Sequence, residues 1–153
     1  MKQLAILILM LAGSLLFTEC KKYPEGPAIS LRSKKERVAN TWKLDVLLSH
    51  DIDSTAYFTN FFKDYTVTLT KSGSYTISYY VTVQGFGNVS NTESGSWSFS
   101  SGKEDLRITP QSVAIGNLPS PSVYQIMKLY EKQLWLRTFN ADGSSREYRF
   151  SPK

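Results

Sequence analysis

The chain has 153 residues, with 18 Lys and Arg against 13 Asp and Glu for a formal charge of +5, one Cys and one His. One cysteine excludes an intrachain disulfide framework, and so few His and Cys exclude a zinc site built from several such ligands. A content of Tyr 9, Phe 8 and Trp 3 marks a folded chain rather than a disordered one.

Met1-Lys2 gives a positive start, and Leu4 to Phe17 is an apolar run of 14 residues. The run is shorter than the ~20 residues a spanning helix needs. A positive start and a short apolar run read as a secretory signal. Phe17-Thr18-Glu19-Cys20 closes it, and Lys21-Lys22 comes directly after. This end resembles the lipobox of bacterial lipoproteins, in which the signal is cut before a cysteine that is then acylated. Glu19 departs from the small residue usual before that cysteine. The resemblance implies a signal peptide over 1–19, lipidation at Cys20 and a membrane partner through the lipid. The competing reading is a soluble periplasmic protein cut elsewhere, leaving Cys20 as a free thiol, a liability in an oxidising compartment.

Lys21 to Ser30 is broken by Pro24, Gly26 and Pro27 and is expected to be an extended tether over 20–30. Residues 21–43 hold Lys21, Lys22, Arg32, Lys34, Lys35, Arg37 and Lys43 against Glu25 and Glu36, so the whole net charge sits here. The remainder is neutral, which argues against a nucleic-acid partner, whose basic patch belongs on the folded domain. The basic run is either a second contact to an anionic lipid surface or a solvated linker.

Residues 31–153 are expected to form one domain. Ser33 to Glu36 is a capping box, predicting a short helix from Lys34 to Ala39 that lids one end of the strands after it. Period-two alternation then predicts those strands. Thr41–Ser49 places Trp42, Leu44, Val46 and Leu48 inward. His50–Ser54 is a turn cluster, and a short helix over the aromatic stretch 57–63 sets Phe58, Phe61 and Phe62 on one side. Tyr65–Lys71 and Ser74–Val83 flank a turn at Ser72-Gly73, with Tyr65, Val67 and Leu69 facing Tyr75, Ile77, Tyr79, Val81 and Val83. Gln84–Asn91 is expected to be a loop, and Thr92–Ser100 a strand with Gly95, Trp97 and Phe99 on one face. Asp105–Thr109 is succeeded by an irregular, proline-rich piece over 110–122. Val123–Leu129, Leu134–Phe139 and Arg146–Phe150 complete eight strands, with Tyr148 and Phe150 inward.

Eight strands joined by local turns predict an all-β, antiparallel, up-and-down barrel with a short N-terminal helix. The alternative is a two-sheet sandwich, but the Cys…Trp…Cys core of antibody-type domains is absent. Several motifs in order resemble a lipocalin-like domain of the small bacterial lipoprotein kind: Asn40-Thr41-Trp42, Lys71 to Tyr75, Gly95 to Phe99, Tyr124 to Leu129, and Leu134-Trp135-Leu136. Lipocalins open with Gly-x-Trp, whose Trp closes the barrel under a basic residue of the last strand. Asn40 stands in place of that Gly, so only Trp42 carries over, with Arg146 and Arg149 as alternatives for the basic residue. The resemblance implies a barrel with an apolar cavity and an outer-membrane location.

No nucleophile elbow or phosphate loop is present, and His50 lies in a turn, so no enzyme activity, cofactor or metal is expected. Asp51, Asp53 and Ser54 read as a solvated turn rather than a calcium loop. The inward aromatics Trp42, Tyr65, Tyr75, Tyr79, Trp97 and Phe99 are candidates both for lining a pocket and for filling the core, because an eight-stranded barrel is just wide enough for either. Two functions therefore stand: a tethered monomer binding a small apolar ligand, or a solid-core interaction protein.

Overall fold

A computed structural model describes residues 30–111 and 122–153. The signal, Cys20 and all of the tether except Ser30 lie outside the described residues, as does most of the irregular piece over 110–122. In chain order the elements are α1 (Lys34–Val38), β1 (Thr41–Ser49), β2 (Ile52–Asp53), α2 (Thr55–Phe61), β3 (Lys63–Leu69), β4 (Ser74–Val83), β5 (Gly87–Phe99), β6 (Asp105–Pro110), β7 (Ser122–Leu129), β8 (Leu134–Phe139) and β9 (Ser145–Pro152). Every long strand pairs antiparallel with its neighbour in sequence, β2 merely extends a hairpin from β1, and β1 also pairs with β9. The product is a closed, eight-stranded, up-and-down antiparallel barrel, as the alternation and local turns predict.

Closure runs from Trp42 opposite Pro152 to Ser49 opposite Arg146. The register shifts between Leu44 and Val46. This bulge corrects the expected inward set of β1. Leu44 faces in opposite Phe150, but Val46 then lies opposite the outward Arg149, and Leu47 takes the inward place opposite Tyr148. One inserted residue moves every later side chain to the other face, so Leu47 is buried in place of Val46 and Leu48.

β1 pairs with β3 only from Thr41 to Lys43. Past that point the two strands part, and α2 fills the gap. The Leu47 amide donates to Thr55 Oγ1 at 2.9 Å, and the Leu47 carbonyl accepts from the Ser54 amide at 2.8 Å. The helix thus satisfies backbone groups that a neighbouring strand would otherwise take. Phe58 and Phe62 meet at a tilt, 4.7 Å apart, and seat α2 edge-on against Tyr65 and Tyr79, each at 5.2 Å. Phe61, expected on that side, is exposed.

The opposite end is closed by α1. Its capping box forms as the sequence predicts: Ser33 Oγ accepts from the Glu36 amide at 3.2 Å, and Glu36 Oε2 accepts from the Ser33 amide at 3.0 Å. The Ser33 amide and hydroxyl, both donating to this carboxylate, and then Lys71 hold the Glu36 carboxyl below its usual range. Beneath the helix, Trp42 is fully buried and its Nε1 donates to the Val38 carbonyl at 2.8 Å. Neither Arg146 nor Arg149 covers this indole. Arg146 lies at the far end of the barrel opposite Ser49, and the Arg149 guanidinium stacks 4.1 Å from the Trp135 ring. The buried arginine of the closed end is Arg37 of α1, which donates to the Leu129 carbonyl at 3.1 Å.

β4 and β5 form a hairpin longer than the barrel wall. β5 begins at Gly87, so Gln84–Asn91 is not the expected loop: Val81 to Val83 pair with Val89 to Gly87. β3 leaves β4 at Tyr80, so the tip projects as a two-stranded arm.

Candidate functional site

The sheet's inner face encloses a cavity of about 210 Å³. Its walls grade along the strands. From the ends nearest α1 come Trp42, Leu69, Leu106, Leu134 and Phe150. Mid-strand positions give Val67, Ile77, Ile108 and Leu136, and the open end gives Tyr65, Glu93, Pro110, Ser122, Tyr124 and Tyr148. β3, β6, β7, β8 and β9 contribute at period two, the spacing that delivers alternate side chains to one face, and β1, β4 and β5 give one residue each.

The six aromatics named from the sequence divide between filling and lining. Trp42 and Tyr65 line the cavity. Tyr75 and Trp97 are buried in the surrounding core. Phe99 packs edge-on against Trp97 at 5.4 Å, and Trp97 Nε1 donates to the Thr70 carbonyl at 3.0 Å. Tyr79 stacks on Tyr65 at 6.0 Å and lines an outer groove of about 770 Å³ between β1, β3 and β4. Tyr65 borders both spaces.

Gly95 explains how Tyr75 fits. A Cβ there would overlap the Thr109 carbonyl oxygen and lie 2.7 Å from Tyr75 Cε1. The ring thus lies over bare backbone, and its hydroxyl reaches along β5 to donate to Glu93 Oε1 at 2.6 Å. Burial raises the Tyr75 phenol, and the Glu93 carboxylate raises it further. Burial also raises Tyr65, with smaller effects from Tyr124, Tyr148 and Glu93. Tyr124 is pushed up to about 12, mainly by burial. The phenols of Tyr65, Tyr75 and Tyr124 are therefore neutral donors at physiological pH. Tyr124 and Tyr148 meet edge-on at 6.1 Å, and Tyr148 stacks on Phe150 at 6.3 Å.

Glu93 and Tyr124 are not among the residues that the sequence singles out as site candidates. A signal for Glu93 is present: it shares the parity of Gly95, Trp97 and Phe99, so an acid stands on an otherwise inward apolar face.

His50 and Asp51 take positive φ in the turn between β1 and β2. Asp51 faces Arg137 Nη2 at 3.4 Å, and Asp53 accepts from the Thr55 amide at 2.8 Å. Among the described residues, no group of three or more His, Cys, Asp or Glu is placed to hold a metal ion, and no helix is long and apolar enough to cross a membrane.

No protein-family model and no curated protein sequence matches the chain. Among solved structures the chain is similar to a redesigned beta barrel, with a TM-score of 0.43 and 10% identity over 82% of this chain and 99% of that one.

Proposed function

We propose that this is a lipid-anchored, lipocalin-like binding protein of the bacterial cell envelope, which holds one small molecule in its barrel. The cavity carries this reading. Its wall is mostly apolar, with a few polar groups gathered at one end, the usual make-up of a small-molecule site. Drug-sized ligands occupy ~300–1,000 Å³, whereas an apolar void of ~150 Å³ holds benzene. A space of about 210 Å³ suits a single ring or a short chain. The reading is of a binder, supported by the polar groups that line the cavity among the described residues: phenols, a hydroxyl and one carboxylate.

Native mass spectrometry of the protein purified from its own host tests the reading. A bound molecule of that size is the expected result, lost when Val67→Phe fills the space. An empty protein that also refuses single-ring compounds would favour the solid-core interaction protein. The anchor rests on the apolar run ending at Cys20. Cys20→Ser is expected to move the protein to the soluble periplasmic fraction or leave it uncut. A variant still processed and acylated like the wild type would remove the anchor from the proposal.

A further inference from the structure

We infer that the molecule held in the cavity is a small organic cation, an ammonium on a single ring or short chain, with its charge against Glu93 and the neighbouring tyrosine faces. This rests on the binding reading above and names the ligand's chemistry. Glu93 is the sole charged side chain among the described residues that line the cavity. It sits at the open end and is exposed. Tyr75 donates to its Oε1 at 2.6 Å, which fixes the carboxylate's position from below. Its Oε2 has no hydrogen-bond partner among the described residues and remains an acceptor. Three aromatic residues share that end of the wall with it: Tyr65, Tyr124 and Tyr148.

This combination selects for positive charge. Aromatic faces are negative and attract ammonium groups, more strongly when the site is dry. A carboxylate adds a charge-assisted hydrogen bond. Among the described residues, no basic side chain lines the cavity to hold an anion. Arg146 acts electrostatically on Tyr124 but is exposed and outside the lining set. An anionic ligand would bring its charge up to the Glu93 carboxylate, and like charges repel. A neutral ligand would satisfy the apolar wall and leave the Glu93 carboxylate without a counter-charge.

Three probes of nearly equal size and shape separate these cases: benzylammonium, benzyl alcohol and benzoate. Each is titrated calorimetrically into the full-length protein and its Glu93→Gln variant at neutral pH. The expected result is benzylammonium binding roughly tenfold or more tighter than benzyl alcohol, with benzoate weakest. Glu93→Gln is expected to bring the ammonium down to the level of the alcohol. If the alcohol binds as tightly as the ammonium in the wild type, the cavity binds ligands but not by charge, and the inference is overturned. An ammonium preference that persists in Glu93→Gln overturns the role of that carboxylate. Binding of none of the three removes the cavity reading itself, and the inference with it.

Discussion

The two ends of the barrel are built from the same strands and do opposite things. At the α1 end, Trp42, Leu69, Leu106, Leu129 and Leu134 meet under Val38, all at most 2% exposed. At the α2 end, Tyr65, Tyr79, Tyr124 and Glu93 retain contact with solvent, and Tyr57, Phe61 and Phe86 stand in it. The closed end supplies apolar burial and a fully bonded indole. The open end gives part of its surface to hydroxyls and a carboxylate that packing alone does not need. A sheet of one architecture can therefore concentrate its stability at one rim and leave the other free for recognition, the division expected where local stabilities differ across a fold.

The comparison breaks most sharply at Trp42. Trp42→Ala removes the largest buried side chain at the closed end and the bond to the Val38 carbonyl. A loss of ~3–5 kcal/mol is expected in a denaturant titration. A midpoint matching the wild type would show that this rim does not hold the barrel. Gly95→Ala tests the middle of the wall, where Tyr75 crosses the bare backbone. The added methyl must displace the ring or the strand, with an expected loss of ~1–3 kcal/mol. Crowding at this site is refuted if the variant proves as stable as wild type.

The open end has a pH signature. An ordinary tyrosine ionises near pH 10, and Tyr124 is raised to about 12 in the fold. Between those values the folded state keeps a proton that the unfolded chain has released, so stability falls as pH rises. The contribution is whole below about pH 10 and is lost as pH climbs through about 12. Tyr65 and Tyr75, raised for the same main reason, act in the same direction. Stability measured across this window is expected to drop by ~1–2 kcal/mol less in Tyr124→Phe than in wild type. Parallel curves would mean that Tyr124 ionises freely in the fold. The smallest effect belongs to the arm. Phe86 at its tip is 83% exposed, so Phe86→Ser should stay within ~0.5 kcal/mol of wild type. A larger loss would show the arm to be part of the structural body.

The legible parts of the chain are those that alternation encodes. β3 and the first half of β4 bury one face, so Tyr65, Val67, Leu69, Tyr75 and Ile77 stand out in the sequence. Alternation fails where nothing is buried. Gly87 to Val89 pair with β4 beyond the barrel wall, and a ribbon wet on both sides has no apolar rhythm. It also fails at a bulge, since Asp45 carries no local mark of the inserted residue that turns Leu47 inward. Arg37 is hidden because a charged residue in a short polar helix looks like surface, and its burial comes from a carbonyl on β7, far along the chain. Whether the inward aromatics fill or line the barrel is beyond the sequence. It depends on Tyr75 lying down across Gly95, a side-chain direction set by three strands together.

The pairing of β1 with β9 also bears on how the chain reaches its fold. Trp42 needs Pro152 beside it, so the ring cannot shut until nearly the whole domain is present. Contacts between residues so distant in sequence must overcome a large loop entropy and slow the search. Until the last strand arrives, β1 and β8 each show an unpaired edge. An incompletely made chain is thus held open, with the indole of Trp42 uncovered on one side, in the form most exposed to proteases and chaperones. The β4–β5 hairpin, by contrast, pairs residues adjacent in sequence and can form early. The arm that adds least to the finished molecule can therefore be among its first parts to take shape.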